Sequence, residues 1–186
     1  MKQKIDIWIG EYYASDTPTV IGTLLGSCVA VCLFDPIRRV GGMNHILLPD
    51  RADVKGFNAP ARYGINAMEL LINRIMNLNG GSRRFIAKIF GGARLLPSIP
   101  DENSPGRQNV DFVETFLKQE QIRVSGMDVG GCLSRKILFH TDTGDVWVKR
   151  NKSGSANNKV TRSQDGQVHR IRKQAQSSGE IELFLE

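Results

Sequence analysis

The run Cys28-Val-Ala-Val-Cys-Leu-Phe34 is the longest uninterrupted apolar stretch of the chain, and Asp35-Pro36 closes it. Seven residues that include two β-branched valines and end in turn chemistry read as a strand buried on both faces rather than as a helix. After the turn, residues 40–48 form a second strand that stops at Pro49-Asp50. Upstream, residues 20–25 lead through Gly26-Ser27 into the run, after a polar connection over 14–18 that contains Pro18. Residues 4–9 alternate Ile5, Ile7 and Ile9 with other residues, the period-2 pattern of a further strand.

The period changes at Asn58. Ile65, Met68, Leu71, Ile72, Ile75 and Met76 recur at three and four, Asn58 suits an N-cap, Pro60 suits a first turn and Asn79-Gly80-Gly81 suits a left-handed stop. Residues 84–90 then read as a strand running into Gly91-Gly92. Val110, Val113, Phe116 and Leu117 mark a second, shorter helix. Strands over 122–129, 136–140 and 145–149 follow, the last two joined through Asp142-Thr143-Gly144. Strands, helix, strand, helix and strands in that order predict an α/β layered sandwich, a mixed or antiparallel sheet with two main helices laid on it. A doubly wound nucleotide fold is disfavoured because helices do not regularly separate the strands.

The chain has 186 residues, long enough for one domain with a real core, and a formal charge of +6. That excess is local. Residues 149–173 hold eight Lys or Arg and one Asp, whereas residues 1–148 hold seventeen basic and fifteen acidic residues. The expected division is therefore a folded domain over 1–150 and a basic, polar, flexible extension over 151–186. The extension is more simply a solvated arm than a nucleic-acid reader, so nucleic acid is not an expected partner. Seven apolar residues fall far short of the roughly 20 that span a bilayer, and the N-terminus lacks a signal-peptide apolar region. The expected location is cytoplasmic and not membrane-embedded. The three cysteines, at 28, 32 and 132, show neither Cys-x-x-Cys spacing nor an even count, so no disulfide framework or zinc site is expected.

Gly91-Gly92 and Gly130-Gly131 are isolated pairs, without the spaced glycines or Gly-Lys-Ser/Thr of a phosphate loop. No metal-ligand or paired-carboxylate spacing occurs, so metallohydrolase and glycosidase readings have no anchor. What remains is a thiol and an imidazole. If Asp35-Pro36-Ile37-Arg38 is the loop of an antiparallel hairpin, Phe34 faces Arg39 and Cys28 faces His45, with Cα atoms about 4.5–5.5 Å apart and side chains on one face. An imidazole there can take the thiol proton, which makes the sulfur a nucleophile. Gly26 and Ser27 precede the thiol where a loop enters a strand, so backbone N–H groups could turn toward a reacting carbonyl as an oxyanion hole. Thr23 and Ser27 are candidates for orienting the imidazole, whereas Asn44 would point to the other face. By spacing alone, the bland reading of a structural cysteine beside an unrelated histidine stands alongside this one. Cys32 reads as core, Cys132 is unplaced, and His140 and His169 read as solvated.

These same residues resemble the chemoreceptor glutamine deamidases called CheD. The resemblance rests on Thr23-Leu-Leu-Gly-Ser-Cys-Val-Ala-Val-Cys-Leu-Phe-Asp-Pro36, Gly41-Gly-Met-Asn-His-Ile-Leu-Leu-Pro49 and Lys88-Ile-Phe-Gly-Gly-Ala93. It continues through Gly106-Arg-Gln-Asn-Val110, Asp128-Val-Gly-Gly131, Arg135-Lys136 and Thr143-Gly144, and so covers about residues 5–150. An extra Gln108 interrupts the Gly-x-Arg-Asn pattern that the family often has.

The resemblance implies a cysteine-dependent amidohydrolase that converts glutamines on the cytoplasmic domain of methyl-accepting chemotaxis receptors to glutamate. It implies Cys28 as nucleophile, His45 as general base and Thr23 as third residue, with no cofactor and no metal. Some family members have one more residue between that threonine and the Gly-Ser-Cys. The family also implies receptor methylesterase activity in some members, a CheC-like phosphatase as partner in some organisms, and a fold like the deamidase domain of cytotoxic necrotizing factors. The alternatives are another thiol hydrolase, peptidase- or transglutaminase-like, and a non-catalytic binding module of the same fold.

Overall fold

A computed structural model describes residues 2–96, 98 and 100–151. Nine strands and two α-helices follow in order: β1 (Gln3–Asp6), β2 (Tyr12–Ser15), β3 (Thr19–Leu25), β4 (Val29–Asp35), β5 (Val40–Asn44), α1 (Ala59–Asn79), β6 (Ile86–Gly91), α2 (Pro105–Gln119), β7 (Arg123–Val129), β8 (Arg135–His140) and β9 (Val146–Arg150). They form two sheets, one of order β1-β3-β8-β9 and one of order β2-β5-β4-β6-β7. Both are mixed, since β1 runs parallel to β3 and β6 parallel to β7 while the other pairs are antiparallel. The fold is the expected α/β sandwich, with the sheet content divided in two.

The central strand β4 explains the layering. Its alternate residues Val29, Val31 and Leu33 enter a core shared with Met68, Leu71 and Ile75 of α1 and with Val113 and Leu117 of α2. Ala30, Cys32 and Phe34 enter a second core with Ile21 of β3 and with Ile137 and Phe139 of β8. Helices, five-stranded sheet and four-stranded sheet are therefore stacked, and a strand in the middle layer needs apolar side chains on both faces. α1 starts where Asn58 accepts a hydrogen bond from the Ala61 N–H and stops at Gly80, whose φ of 76° is left-handed.

The hairpin register differs from the sequence expectation. Phe34 pairs with Gly41 and Asp35 with Val40, so the four turn residues are Pro36 to Arg39 and each strand is offset by two positions. The cause is Asp35. Its Oδ1 accepts from the N–H groups of Ile37 and Arg38, which winds the turn after Asp35 rather than through it, and Arg39 completes it at φ 54°. A shift of two preserves the side-chain face, so Cys28 and His45 are no longer directly opposed but still project into the same layer.

Other elements differ from the sequence expectation as well. The first strand ends at Asp6, with Ile7 already outside it, and β2 forms where no strand was expected, overlapping the start of the connection over 14–18. β5 ends at Asn44, leaving an isolated bridge between Val29 and Ile46. Of the extension expected over 151–186, only Asn151 is described, and its N–H bonds the Ser134 carbonyl at 2.9 Å; residues 152–186, with His169, lie outside the described residues.

Candidate active site

Thr23 and His45 meet in the layer between the sheets, and Cys28 projects into the core of that same layer. Thr23 comes from the inward face of β3, Cys28 from the loop that enters β4, and His45 from just beyond β5. All three are buried. Thr23 Oγ1 lies 2.8 Å from His45 Nδ1 and 2.8 Å from the Ile7 carbonyl oxygen. A carbonyl can only accept, so the single hydroxyl proton of Thr23 goes to Ile7, and Thr23 must accept from His45 Nδ1–H. The imidazole is thereby held as the Nδ1–H tautomer, with the lone pair on Nε2. Nε2 is buried without a hydrogen-bond partner among the described residues.

Burial alone lowers the His45 pKa from 6.5 to about 3, so the ring is neutral at pH 7 and able to accept a proton. The backbone of His45 is fixed as well, its N–H bonding the Glu11 carbonyl at 3.0 Å and its carbonyl accepting from Gly10 N–H at 2.8 Å. Asn44 points to the opposite face, as expected, where its Oδ1 accepts from the Val31 N–H.

The nucleophile loop is tied down by its carbonyls. Gly26 O accepts from Ala93 N–H at 2.8 Å, Ser27 O from Asn109 Nδ2 at 2.9 Å, and Cys28 O from Gly92 N–H at 2.7 Å. Gly91 permits this approach: with φ at 110°, a Cβ there would stand 2.1 Å from the Cys28 carbonyl oxygen. Tyr63 borders the same region, since a Cβ on Gly10 would meet its hydroxyl at 3.3 Å. Burial first, and then negative charge on Cys28, raises the Tyr63 pKa. Neutral imidazole, thiol and pinned backbone together fit acyl transfer through a sulfur nucleophile. Among the described residues no three His, Cys, Asp or Glu side chains gather in a way that could hold a metal ion. No described helix is long and apolar enough to cross a membrane.

The family described as CheD chemotactic sensory transduction matches residues 47–150. A "Probable chemoreceptor glutamine deamidase CheD 1" of Shewanella oneidensis is 39% identical over 100% of this chain and 89% of its own length. The chain belongs to the CheD family. A Vibrio vulnificus relative, "Probable chemoreceptor glutamine deamidase CheD", is 38% identical over 97% of this chain and 86% of its own. Among solved structures, a Bacillus licheniformis hypothetical protein, YfiH, aligns with a TM-score of 0.39 and 17% identity over 63% of this chain and 50% of that one.

In this CheD chain the remaining sequence candidates separate cleanly. Cys32 sits in the core between the sheets, where burial pushes its thiol far up, so it is an inert thiol at neutral pH. Cys132 is exposed, and none of the three cysteines is in a disulfide. His140 packs its ring 5.2 Å from that of Trp147, with Nδ1 at 3.3 Å from Lys2 Nζ. Sequence reasoning missed the part played by Asn109 and by the Gly91-Gly92 pair. Both stood in the family-like motifs, but a long-range hydrogen bond to Ser27 leaves no local trace in the sequence.

Proposed function

We propose that this chain is a cysteine-dependent protein-glutamine deamidase acting on the cytoplasmic domain of methyl-accepting chemotaxis receptors. The observation that carries the reading is the Thr23 to His45 bond, because it leaves a neutral, correctly tautomeric Nε2 in the layer that also receives Cys28. The names of the curated relatives supply the substrate class.

His45 Nε2 takes the Cys28 thiol proton as the sulfur attacks the glutamine carboxamide carbon, and the carbonyl oxygen becomes an oxyanion. The oxyanion collapses, the C–N bond breaks, and the nitrogen leaves as ammonia carrying the proton from His45. A water then gives a proton to Nε2 and attacks the thioester; the C–S bond breaks and the proton returns to sulfur, leaving glutamate. Applied to a glutamyl methyl ester, the same route releases methanol. Cys28 and His45 are buried, so admitting the glutamine side chain requires neighbouring groups to move aside. A CheC-like phosphatase as regulatory partner rests on the family resemblance.

An ammonia-release assay with a receptor cytoplasmic fragment tests this reading. Ammonia should form with the wild type and not with Cys28→Ala. Receptor cleavage would instead support a peptidase, amine incorporation a transglutaminase-like enzyme, and binding indifferent to Cys28→Ala a binding module.

A further inference from the structure

Asn109 lies in the second turn of α2 and is 1% exposed. Its amide spans two parts of the site: Oδ1 accepts from Leu48 N–H at 2.8 Å and Nδ2 donates to the Ser27 carbonyl at 2.9 Å. Leu48 continues the segment that carries His45, and Ser27 immediately precedes Cys28. Only a side chain with one acceptor and one donor arm serves both partners. The helix itself is seated to hold the amide there. A Cβ on Gly106 would stand 2.5 Å from the Gly92 carbonyl oxygen, so the first turn of α2 presses on the backbone that bonds Cys28 and, through Ala93, Gly26.

The Ser27 carbonyl belongs to the peptide unit that also contains the Cys28 N–H. The described peptides include no cis bond, and in a planar trans unit C=O and N–H point in opposite directions. Fixing the carbonyl on Asn109 therefore fixes the Cys28 N–H, directed away from Asn109. An N–H of the nucleophile's own residue is placed to meet charge that develops on a carbonyl oxygen attacked by that residue.

We infer that Asn109 is a positioning residue of the deamidase: it locks the Ser27–Cys28 peptide plane in the orientation that the oxyanion step needs, and ties that plane to the segment bearing His45. The inference rests on Cys28 being the nucleophile. Asn109 does not touch the reacting atoms; it acts through the backbone. Without its donor arm the peptide unit can rotate, and misplacement by about 1 Å costs on the order of 100-fold in rate.

Asn109→Asp is the sharp variant, since it keeps the acceptor for Leu48 N–H and exchanges only the donor arm for an oxygen. Asn109→Ala removes both arms. Asn79→Ala is the control: Asn79 is equally a buried asparagine, but it bonds Asp35 Oδ2 and the Ser82 carbonyl at the far end of α1. Deamidation of a receptor cytoplasmic fragment is measured as kcat and KM per folded enzyme, alongside the urea midpoint. The expected result is a kcat lowered about 10- to 100-fold for Asn109→Asp with KM within about twofold. Asn79→Ala should lose stability and keep its kcat. A wild-type kcat for folded Asn109→Asp overturns the inference, as does a loss confined to the urea midpoint. If the wild type is no more active than Cys28→Ala, the deamidase reading itself fails, which is a separate outcome.

Discussion

Thr23 lies in the four-stranded sheet and His45 directly follows β5 of the five-stranded one, and the 2.8 Å bond between them ties the two layers together. The direction of that bond is set by a third group, the Ile7 carbonyl, which takes the only proton that Thr23 has to give. The tautomer of a buried histidine is thus determined by a backbone oxygen from the segment after β1.

Thr23→Val should therefore injure both chemistry and stability. It leaves His45 Nδ1 and the Ile7 carbonyl without this partner, at a cost of about 1–3 kcal/mol each in a buried setting. It also frees the imidazole to adopt the wrong tautomer, for which a loss of about 100- to 10,000-fold in kcat is expected by analogy with serine hydrolase triads. Thr23→Ser retains the hydroxyl and should recover most of the rate. Steady-state kinetics of the two variants, with urea unfolding, checks this.

The pH dependence follows from the burial of His45. Its folded pKa of about 3 lies below its ordinary value of 6.5, so the folded state binds fewer protons than the unfolded state between those values. Stability contributed by the neutral ring is complete above pH 6.5 and is lost as pH falls toward 3, with a slope of at most about 1.4 kcal/mol per pH unit. In the rate, the acid limb of kcat/KM assigned to His45 should lie well below pH 6.5. A midpoint at 6.5 would mean that the ring titrates as a solvated histidine.

Two glycines of the same left-handed class should respond differently to alanine. At Gly91 the new Cβ meets the Cys28 carbonyl oxygen at 2.1 Å, in the backbone junction that holds the nucleophile loop. Gly91→Ala should cost at least about 4 kcal/mol or prevent folding. At Gly131, with φ 71°, nothing lies within 4 Å of an added Cβ. Gly131→Ala should cost only the backbone preference, about 1–2 kcal/mol. Chemical denaturation of both variants makes the comparison.

The eight positive and one negative side chains concentrated over residues 149–173 sit on an otherwise nearly balanced chain. If they steer the enzyme to an acidic receptor bundle, truncation after residue 151 should lower the modification rate at low salt and leave it little changed at high salt. A rate that the truncation does not alter at any ionic strength removes the idea.

Much of this was legible in the sequence because it rests on local chemistry. The unbroken apolar run of β4 announced a strand covered on both sides, and Asn58 and Gly80 marked the ends of α1. The Cys28 and His45 pairing was placed on the right face although its register was wrong. The error lay in one side chain: Asp35 binds the turn amides, and an aspartate before a proline does not by itself reveal whether the turn starts at it or after it. The division into two sheets was not legible either, since β3 and β4 are separated only by Gly26, Ser27 and Cys28 yet join different sheets. β2 was missed because four residues carry little periodicity, and its strand character comes from pairing with β5.

Peptide mass spectrometry of a receptor cytoplasmic fragment, treated with wild-type protein and with Cys28→Ala, tests the central claim most directly. The account predicts a gain of about 1 Da at defined glutamines with the wild type and none with the variant. The same gain with both proteins, or none with either, would contradict it.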